Sequence, residues 1–176
     1  MTTPTTPTTL DEFNRLETAA AGALIFKCCA SDRWAERMTA SRPYHSMAEL
    51  TAAADAHWRQ MTRRDVLQAF RGHPEIGRPD SPEGAHDTTR ALAEDEQSGM
   101  ARASAGMRAA LAKYNRAYAK KFGFIFIVCA SGKSAEQMLG LIRTRLGNTR
   151  ETEIANAAEE QRKITRIRIH ALLGQP

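Results

Sequence analysis

The sequence predicts an all-α fold: a single-domain, multi-helix bundle with one buried extended segment at about 124–130. Three observations predict it. Apolar residues recur at helical spacing in segment after segment. Ser/Thr-x-x-Glu/Gln capping patterns open helices at Thr9, Ser46 and Ser134. Finally, Phe124-Ile125-Phe126-Ile127-Val128 has strand composition, but no second stretch of the chain could pair with it in a sheet. With 176 residues, the chain has the length of one domain, at roughly 100 to 200 residues each.

Residues 1–9 are mostly Thr and Pro, which bury too little apolar area to offset the entropy of ordering, so a disordered tail is expected. The helical domain then covers 10–176. Thr9-Leu10-Asp11-Glu12 is a capping box ahead of Phe13, Leu16, Ala20 and Leu24, and the helix it opens should run to Cys29 with a break near Gly22. Ser31 caps a short helix carrying Trp34 and Met38. Ser46-Met47-Ala48-Glu49 opens a helix through Leu50, Ala54 and Trp58, and Thr62 precedes one with Val66, Leu67 and Phe70. That helix must stop before Pro74, because the residue preceding a proline disfavours helical backbone. From Gly72 to Gly84 the density of Gly and Pro predicts a long loop. Helices follow over about 88–98 and 101–121, the second with Met107, Leu111, Tyr114 and Tyr118 as its buried stripe. Beyond the extended segment, Ser134-Ala135-Glu136-Gln137 caps a helix through Leu139, Ile142 and Leu146 that ends at Gly147-Asn148. A last helix covers about 151–173.

Composition excludes several classes. Hydrophobic residues at 42% and charged residues at 26% are the balance of a folded domain rather than a disordered chain. The longest apolar stretches, 19–26 and 124–130, fall far short of the roughly 18 residues that read as a membrane span, so no membrane role is expected. Met1 to Thr9 has neither the positive charge nor the apolar region of a secretory signal, and the C-terminal Gly174-Gln175-Pro176 is no peroxisomal signal, which together predict a cytoplasmic protein. Cys28 and Cys29 are adjacent and Cys129 is alone, so neither a disulfide framework nor a metal spacing is present, and a reducing compartment is expected. The net charge of +5 suits a polyanion or a small anionic substrate equally well. Aromatic residues make up only 6% and are scattered, which argues against nucleic-acid binding by stacking.

The candidate chemistry sits in four places. His73 lies in His73-Pro74-Glu75-Ile76-Gly77, on a loop stiffened by proline, and a positioned imidazole is the usual general acid or base near neutral pH. Glu96, in Glu94-Asp95-Glu96-Gln97, shares a helix side with Leu92 and is the acid expected to face inward. Arg168 shares a face with Ile164 and Ile167, a basic residue on an apolar stripe. The segment 124–130 would carry peptide groups without ladder partners, which a ligand with amide-like edges would satisfy, as would side chains or crossing helices. From the residues alone, His73 is equally a loop histidine, Glu96 part of a solvated acidic face and Arg168 a structural salt-bridge partner. The competing reading is then a basic helical binding module, for nucleic acid or a protein partner, without catalysis.

Taken in order, a longer set of residues is specific. Phe13-Asn14, Cys28-Cys29 with Trp34, Arg42-Pro43-Tyr44, Trp58, His73 to Gly77, Glu96-Gln97, Phe122-Gly123-Phe124-Ile125-Phe126, Cys129 to Ser134 and Lys163-Ile164 with Arg168 resemble the 2-oxo-4-hydroxy-4-carboxy-5-ureidoimidazoline (OHCU) decarboxylase family of urate degradation. The resemblance, which extends to about Leu173, implies an all-α, cofactor-free and homodimeric carboxy-lyase that forms (S)-allantoin. It also implies that His73, Glu96 and Arg168 are catalytic, with no metal. It further implies that Pro74, Gln97 and the backbone of Phe126, Ile127 and Val128 contact the ureide substrate. Ala93 stands at a substrate-binding position where the family commonly has Ser, so one hydroxyl contact is missing, worth about 1 kcal/mol.

Overall fold

A computed structural model describes residues 9–73 and 103–174. Among them the fold is all-α, with eight helices and, as the only β contact, an isolated bridge between Thr9 and Gly174. Of the expected tail over 1–9, only Thr9 is described, as the cap of the first helix and in that bridge; the rest of the tail, all of the expected loop from Gly72 to Gly84 beyond His73, and the helix at 88–98 lie outside the described residues. So do the predicted site residues Pro74, Ala93, Glu96 and Gln97.

The helices are α1 (Leu10–Arg15), α2 (Thr18–Cys29), α3 (Asp32–Ala40), α4 (Met47–Trp58), α5 (Arg63–Arg71), α6 (Ala105–Phe122), α7 (Ala135–Arg145) and α8 (Arg150–Leu173). Their starts follow the caps. Thr9 and Ser134 each form a reciprocal capping box, with Glu12 and Gln137 respectively. Ser46 caps α4, but the Glu49 carboxylate reaches the N–H of His45 rather than that of the cap residue, at 2.7 Å. Ser31 and Ser104 cap α3 and α6.

The chain divides into two compact units, residues 1–66 with 162–176 and residues 67–161, the changes of unit falling inside α5 and α8. In the first unit, Phe13, Ile25, Trp34, Met38 and Leu50 are fully buried. Trp34 donates its ring N–H to the carbonyl of Ala54, tying α3 to α4 at 3.1 Å. The predicted helix from Thr9 to Cys29 is two helices, and its break falls at Leu16-Glu17 rather than at Gly22. The cause is tertiary: the Arg42 guanidinium draws in the carbonyls of Phe13 (2.8 Å) and Leu16 (2.7 Å), which turns the chain out of α1. Gly22 stays helical, and a Cβ there would meet Thr39 Oγ1 of α3 at 3.7 Å. Asn14 completes this corner. Its side chain donates to the carbonyl of Tyr44 (2.8 Å) and accepts from the N–H of Tyr44 (3.0 Å), so the Phe13-Asn14 and Arg42-Pro43-Tyr44 motifs bond to one another.

In the second unit, α6 and α7 pack on each other and carry the segment between them. Gly123 ends α6 at φ +79°, a left-handed conformation that glycine adopts without steric cost, and so turns the chain into that segment. Residues 125–130 form neither helix nor strand, and Phe126 to Ala130 are all buried, as the sequence predicts. The buried stripe of α6 differs from expectation at two positions, of which the first, Met107, is half-exposed. Leu111, Asn115, Tyr118 and Phe122 are buried, whereas Tyr114 is half-exposed under the guanidinium of Arg143 (5.1 Å).

Candidate active site

His73 stands just beyond the C-terminus of α5, where its N–H donates to the carbonyl of Phe70 at 3.4 Å and continues the turn. Three residues earlier, the Phe70 ring packs on Phe124, with centroids 5.1 Å apart. That contact anchors the end of α5 to the start of the buried segment, so His73 and residues 126–128 belong to the same unit. The imidazole Nε2 faces Oε1 of Gln161 at 2.5 Å, and Gln161, on α8, is completely buried. An amide oxygen can only accept, so Nε2 carries the proton of this contact.

The segment itself is held from below by charge. Arg145 Nη1 donates to the carbonyl of Ile127 at 2.8 Å, and its guanidinium lies 4.7 Å from the centroid of the Phe126 ring. Arg145 Nε pairs with Glu153 Oε2 at 2.8 Å. Glu153 is fully buried, and its carboxylate also accepts from Tyr118 Oη, Asn148 Nδ2 (2.7 Å) and Asn156 Nδ2 (2.9 Å). Burial by itself raises the pKa of a carboxyl, but these three hydrogen bonds and the Arg145 charge outweigh it and hold Glu153 below its usual range. The Tyr118 phenol moves the opposite way, pushed up by burial and by its bond to the Glu153 carboxylate. Further along, the N–H of Cys129 donates to Glu160 (2.7 Å), and Lys133 Nζ donates to the carbonyl of Cys129 (2.8 Å). Side chains thus satisfy part of this main chain. Among the described residues, the N–H groups of Phe126, Ile127 and Val128 make no hydrogen bond.

Arg168 belongs to the first unit and is 1% exposed. Its charge acts on the neighbouring Cys29 thiol. Burial pushes that thiol up to about 12, and the Thr165 hydroxyl and Arg168 offset this only in part, so Cys29 stays a neutral thiol. The thiols of Cys28, Cys29 and Cys129 are all buried. The face expected for Arg168 needs one correction: Ile164 is buried at 3%, but Ile167 is 38% exposed. The buried stripe of α8 instead runs Glu153, Ala157, Gln161, Ile164, Arg168, a four-four-three-four spacing. Among the described residues, no cluster of His, Cys, Asp or Glu could hold a metal ion, and no helix is long and apolar enough to cross a membrane.

Sequence reasoning missed Gln161, Arg145 and Glu153. Gln161 and Glu153 were findable as polar residues in register with Ile164 and Arg168 on one helical stripe. Arg145 carried no comparable signal, because an Arg in the last turn of a helix is ordinarily a solvated complement to the helix dipole.

Comparison with known proteins agrees with this architecture. The family model described as OHCU decarboxylase matches residues 14–170. The uric acid degradation bifunctional protein TTL of Arabidopsis thaliana is 39% identical over 147 residues, which are 84% of this chain and 45% of the plant protein, so the chain spans less than half of that relative. The 2-oxo-4-hydroxy-4-carboxy-5-ureidoimidazoline decarboxylase of Haloferax volcanii is 25% identical over 162 residues, 92% of this chain and 94% of the relative. Among solved structures, an OHCU decarboxylase crystallised in the presence of (S)-allantoin superposes with a TM-score of 0.74 at 35% identity, covering 85% of this chain and 96% of that one. An (S)-allantoin synthase, 18% identical with a TM-score of 0.67, shares the fold.

Proposed function

The chain belongs to the OHCU decarboxylase family, and on that premise we propose that it converts OHCU to (S)-allantoin and carbon dioxide in urate degradation. The observation that carries this reading is the likeness to the OHCU decarboxylase solved with (S)-allantoin, over 96% of that chain at 35% identity. The protein acts as a cytoplasmic homodimer without a cofactor. Its three buried thiols suit a reducing compartment.

The chemistry asks little of a cofactor. Breaking the bond between C4 and the carboxylate leaves an electron pair on C4, which the adjacent imine or carbonyl system of the ring delocalises. The protein must position, stabilise and reprotonate. As the C4 electron pair moves into the neighbouring imine, an enol with a C4–C5 double bond forms; His73 takes the proton of its hydroxyl, so that C4 becomes the ring carbonyl, and delivers one to C5, the ureido-bearing carbon, from a single face, which yields one enantiomer. Gln161 supports this by holding the imidazole through Nε2. Glu96 orients the imidazole and repels the substrate carboxylate, a repulsion relieved as neutral carbon dioxide departs. Arg168 anchors anionic or carbonyl oxygens through its planar fork of donors. The peptide groups of Phe126, Ile127 and Val128, with Pro74 and Gln97, bind the ureide, and Ala93 contributes no hydroxyl there.

OHCU generated in place from urate, with the spontaneous decay subtracted, tests the reading by circular dichroism of the product. Wild type is expected to form (S)-allantoin rapidly, and His73→Asn to lose about 10²- to 10⁴-fold in kcat with its helical content unchanged. A wild type no faster than spontaneous decay overturns the function. Full activity in His73→Asn overturns the role of the histidine.

A further inference from the structure

The buried ion pair under the 126–128 segment has an expensive construction for a purely structural element. Taking a guanidinium and a carboxylate out of water costs several kcal/mol per ion, and well-packed apolar residues of similar volume often serve stability equally well. Here Glu153 is 0% exposed and Arg145 8%. Every arm of the pair is committed. Glu153 Oε1 takes Asn148 and Asn156, and Oε2 takes Tyr118 and Arg145 Nε. Arg145 Nη2 lies 3.3 Å from Tyr118 Oη, and Nη1 is spent on one main-chain atom, the Ile127 carbonyl oxygen at 2.8 Å. The guanidinium face lies against Phe126 at 4.7 Å, and the Tyr118 ring meets Phe126 edge-on at 5.3 Å.

Peptide geometry gives this grip a direction. The carbonyl of Ile127 and the N–H of Val128 belong to one planar trans peptide, so they point to opposite sides of the chain. A guanidinium that holds the carbonyl therefore aims the Val128 N–H away from itself. Val128 is buried at 6% exposure, and its N–H makes no hydrogen bond among the described residues. A buried donor held in a set direction, with no acceptor among the described residues, suits the carbonyl oxygen of a ureide.

We propose that Arg145 and Glu153 are positioning residues for substrate binding: the pair locks the Ile127–Val128 peptide plane so that the Val128 N–H donates to a carbonyl of the ureide. This rests on the reading that the 126–128 main chain meets the substrate. Arg145 and Glu153 touch neither substrate nor the reacting carbon, so their loss weakens binding rather than proton transfer.

Two measurements on the full-length protein test this, on Arg145→Lys, Glu153→Gln and the milder Tyr118→Phe. The first is hydrogen exchange of the Val128 amide by NMR, which needs no turnover. The second is the separate determination of kcat and KM on OHCU. Arg145→Lys and Glu153→Gln are expected to speed Val128 exchange at least tenfold over the neighbouring amides of α7, and to raise KM about tenfold with kcat within about threefold. Methylguanidinium added to Arg145→Ala should restore part of the KM. Variants that melt earlier yet keep the wild-type KM and Val128 exchange overturn the proposal, since the pair then only stabilises the fold. If the two charge variants do not fold, Tyr118→Phe decides on the same readouts with smaller shifts: a rise in KM supports the proposal and an unchanged KM overturns it. Should wild type itself fail to turn over OHCU, the functional reading falls, while Val128 exchange still reports whether Arg145 holds the peptide.

Discussion

Arg42 and Arg145 perform the same task in the two units, gripping main-chain carbonyls where a helix has ended, but in opposite surroundings. Arg42 is half-exposed. It collects the carbonyls of Phe13, Leu16 and Thr39 within 3.1 Å and lies over the Phe13 ring at 5.4 Å, and no carboxylate pairs with it among the described residues. Arg145 grips one carbonyl and lies buried against Glu153. Water and the partial charges of helix-end carbonyls are enough for a half-exposed guanidinium, whereas a buried one needs a full counter-charge that is itself fully hydrogen-bonded. A charge cluster beneath the 126–128 segment is thus a consequence of placing an arginine there, and it makes that segment sensitive to single substitutions that the first corner would tolerate.

The sharpest way to break the comparison is Glu153→Ala, which strands the Arg145 charge in the interior. It should destabilise the protein by about 3–5 kcal/mol in urea unfolding, whereas the double replacement Arg145→Met with Glu153→Met should recover most of that loss. A double variant as unstable as the single one would show that the ion pair itself, and not the uncompensated charge, accounts for the stability. Acid supplies the same break reversibly. Because Glu153 is held below its ordinary value of 4.5, its contribution is fully present above about pH 4.5 and is lost as pH falls through the lower folded-state value. Asp65 is lowered as well, by bonds from Thr62 and the charges of Arg33 and Arg64, so the Glu153 share is the difference between wild type and Glu153→Gln in denaturation midpoints across that acid range. Arg42→Ala comes next, at about 2 kcal/mol for charged hydrogen bonds to carbonyls that water can partly replace, with a deficit that does not vary over the same pH range. The smallest effect belongs to the exposed pair Arg15–Asp11, at 3.8 Å with side chains 79% and 80% exposed. Arg15→Ala should leave the urea midpoint unchanged within error.

The capped helix starts were legible because a cap is a local device. Thr9, Ser31, Ser46 and Ser134 each bond a backbone N–H three residues on, and three residues of sequence contain the whole argument. The break in the first helix was not, because it depends on Arg42, twenty-six residues beyond Leu16. Tyr114 was taken for a buried residue from its spacing alone, and the position went instead to Asn115, one residue around the helix. The buried segment was legible from composition, because five consecutive apolar residues without a pairing partner have nowhere else to go. Among the candidate residues, His73, Arg168 and 126–128 were singled out in the sequence by chemistry and by resemblance, while Gln161, Arg145 and Glu153, which the structure places around His73 and the segment, were not.

The sequence by itself determined the helical class, most helix boundaries, the buried segment and the family, since each rests on spacing, capping or motif order within short windows of chain. Tertiary structure alone decided which polar residues are buried and what they hold. Gln161 meets His73 across eighty-eight residues, and Arg145 turns from a helix-end cation into the grip on Ile127 only when Glu153 closes over it. The reason is energetic. A buried charge or amide is tolerated only with its partners in place, and those partners come from elements that meet only on folding.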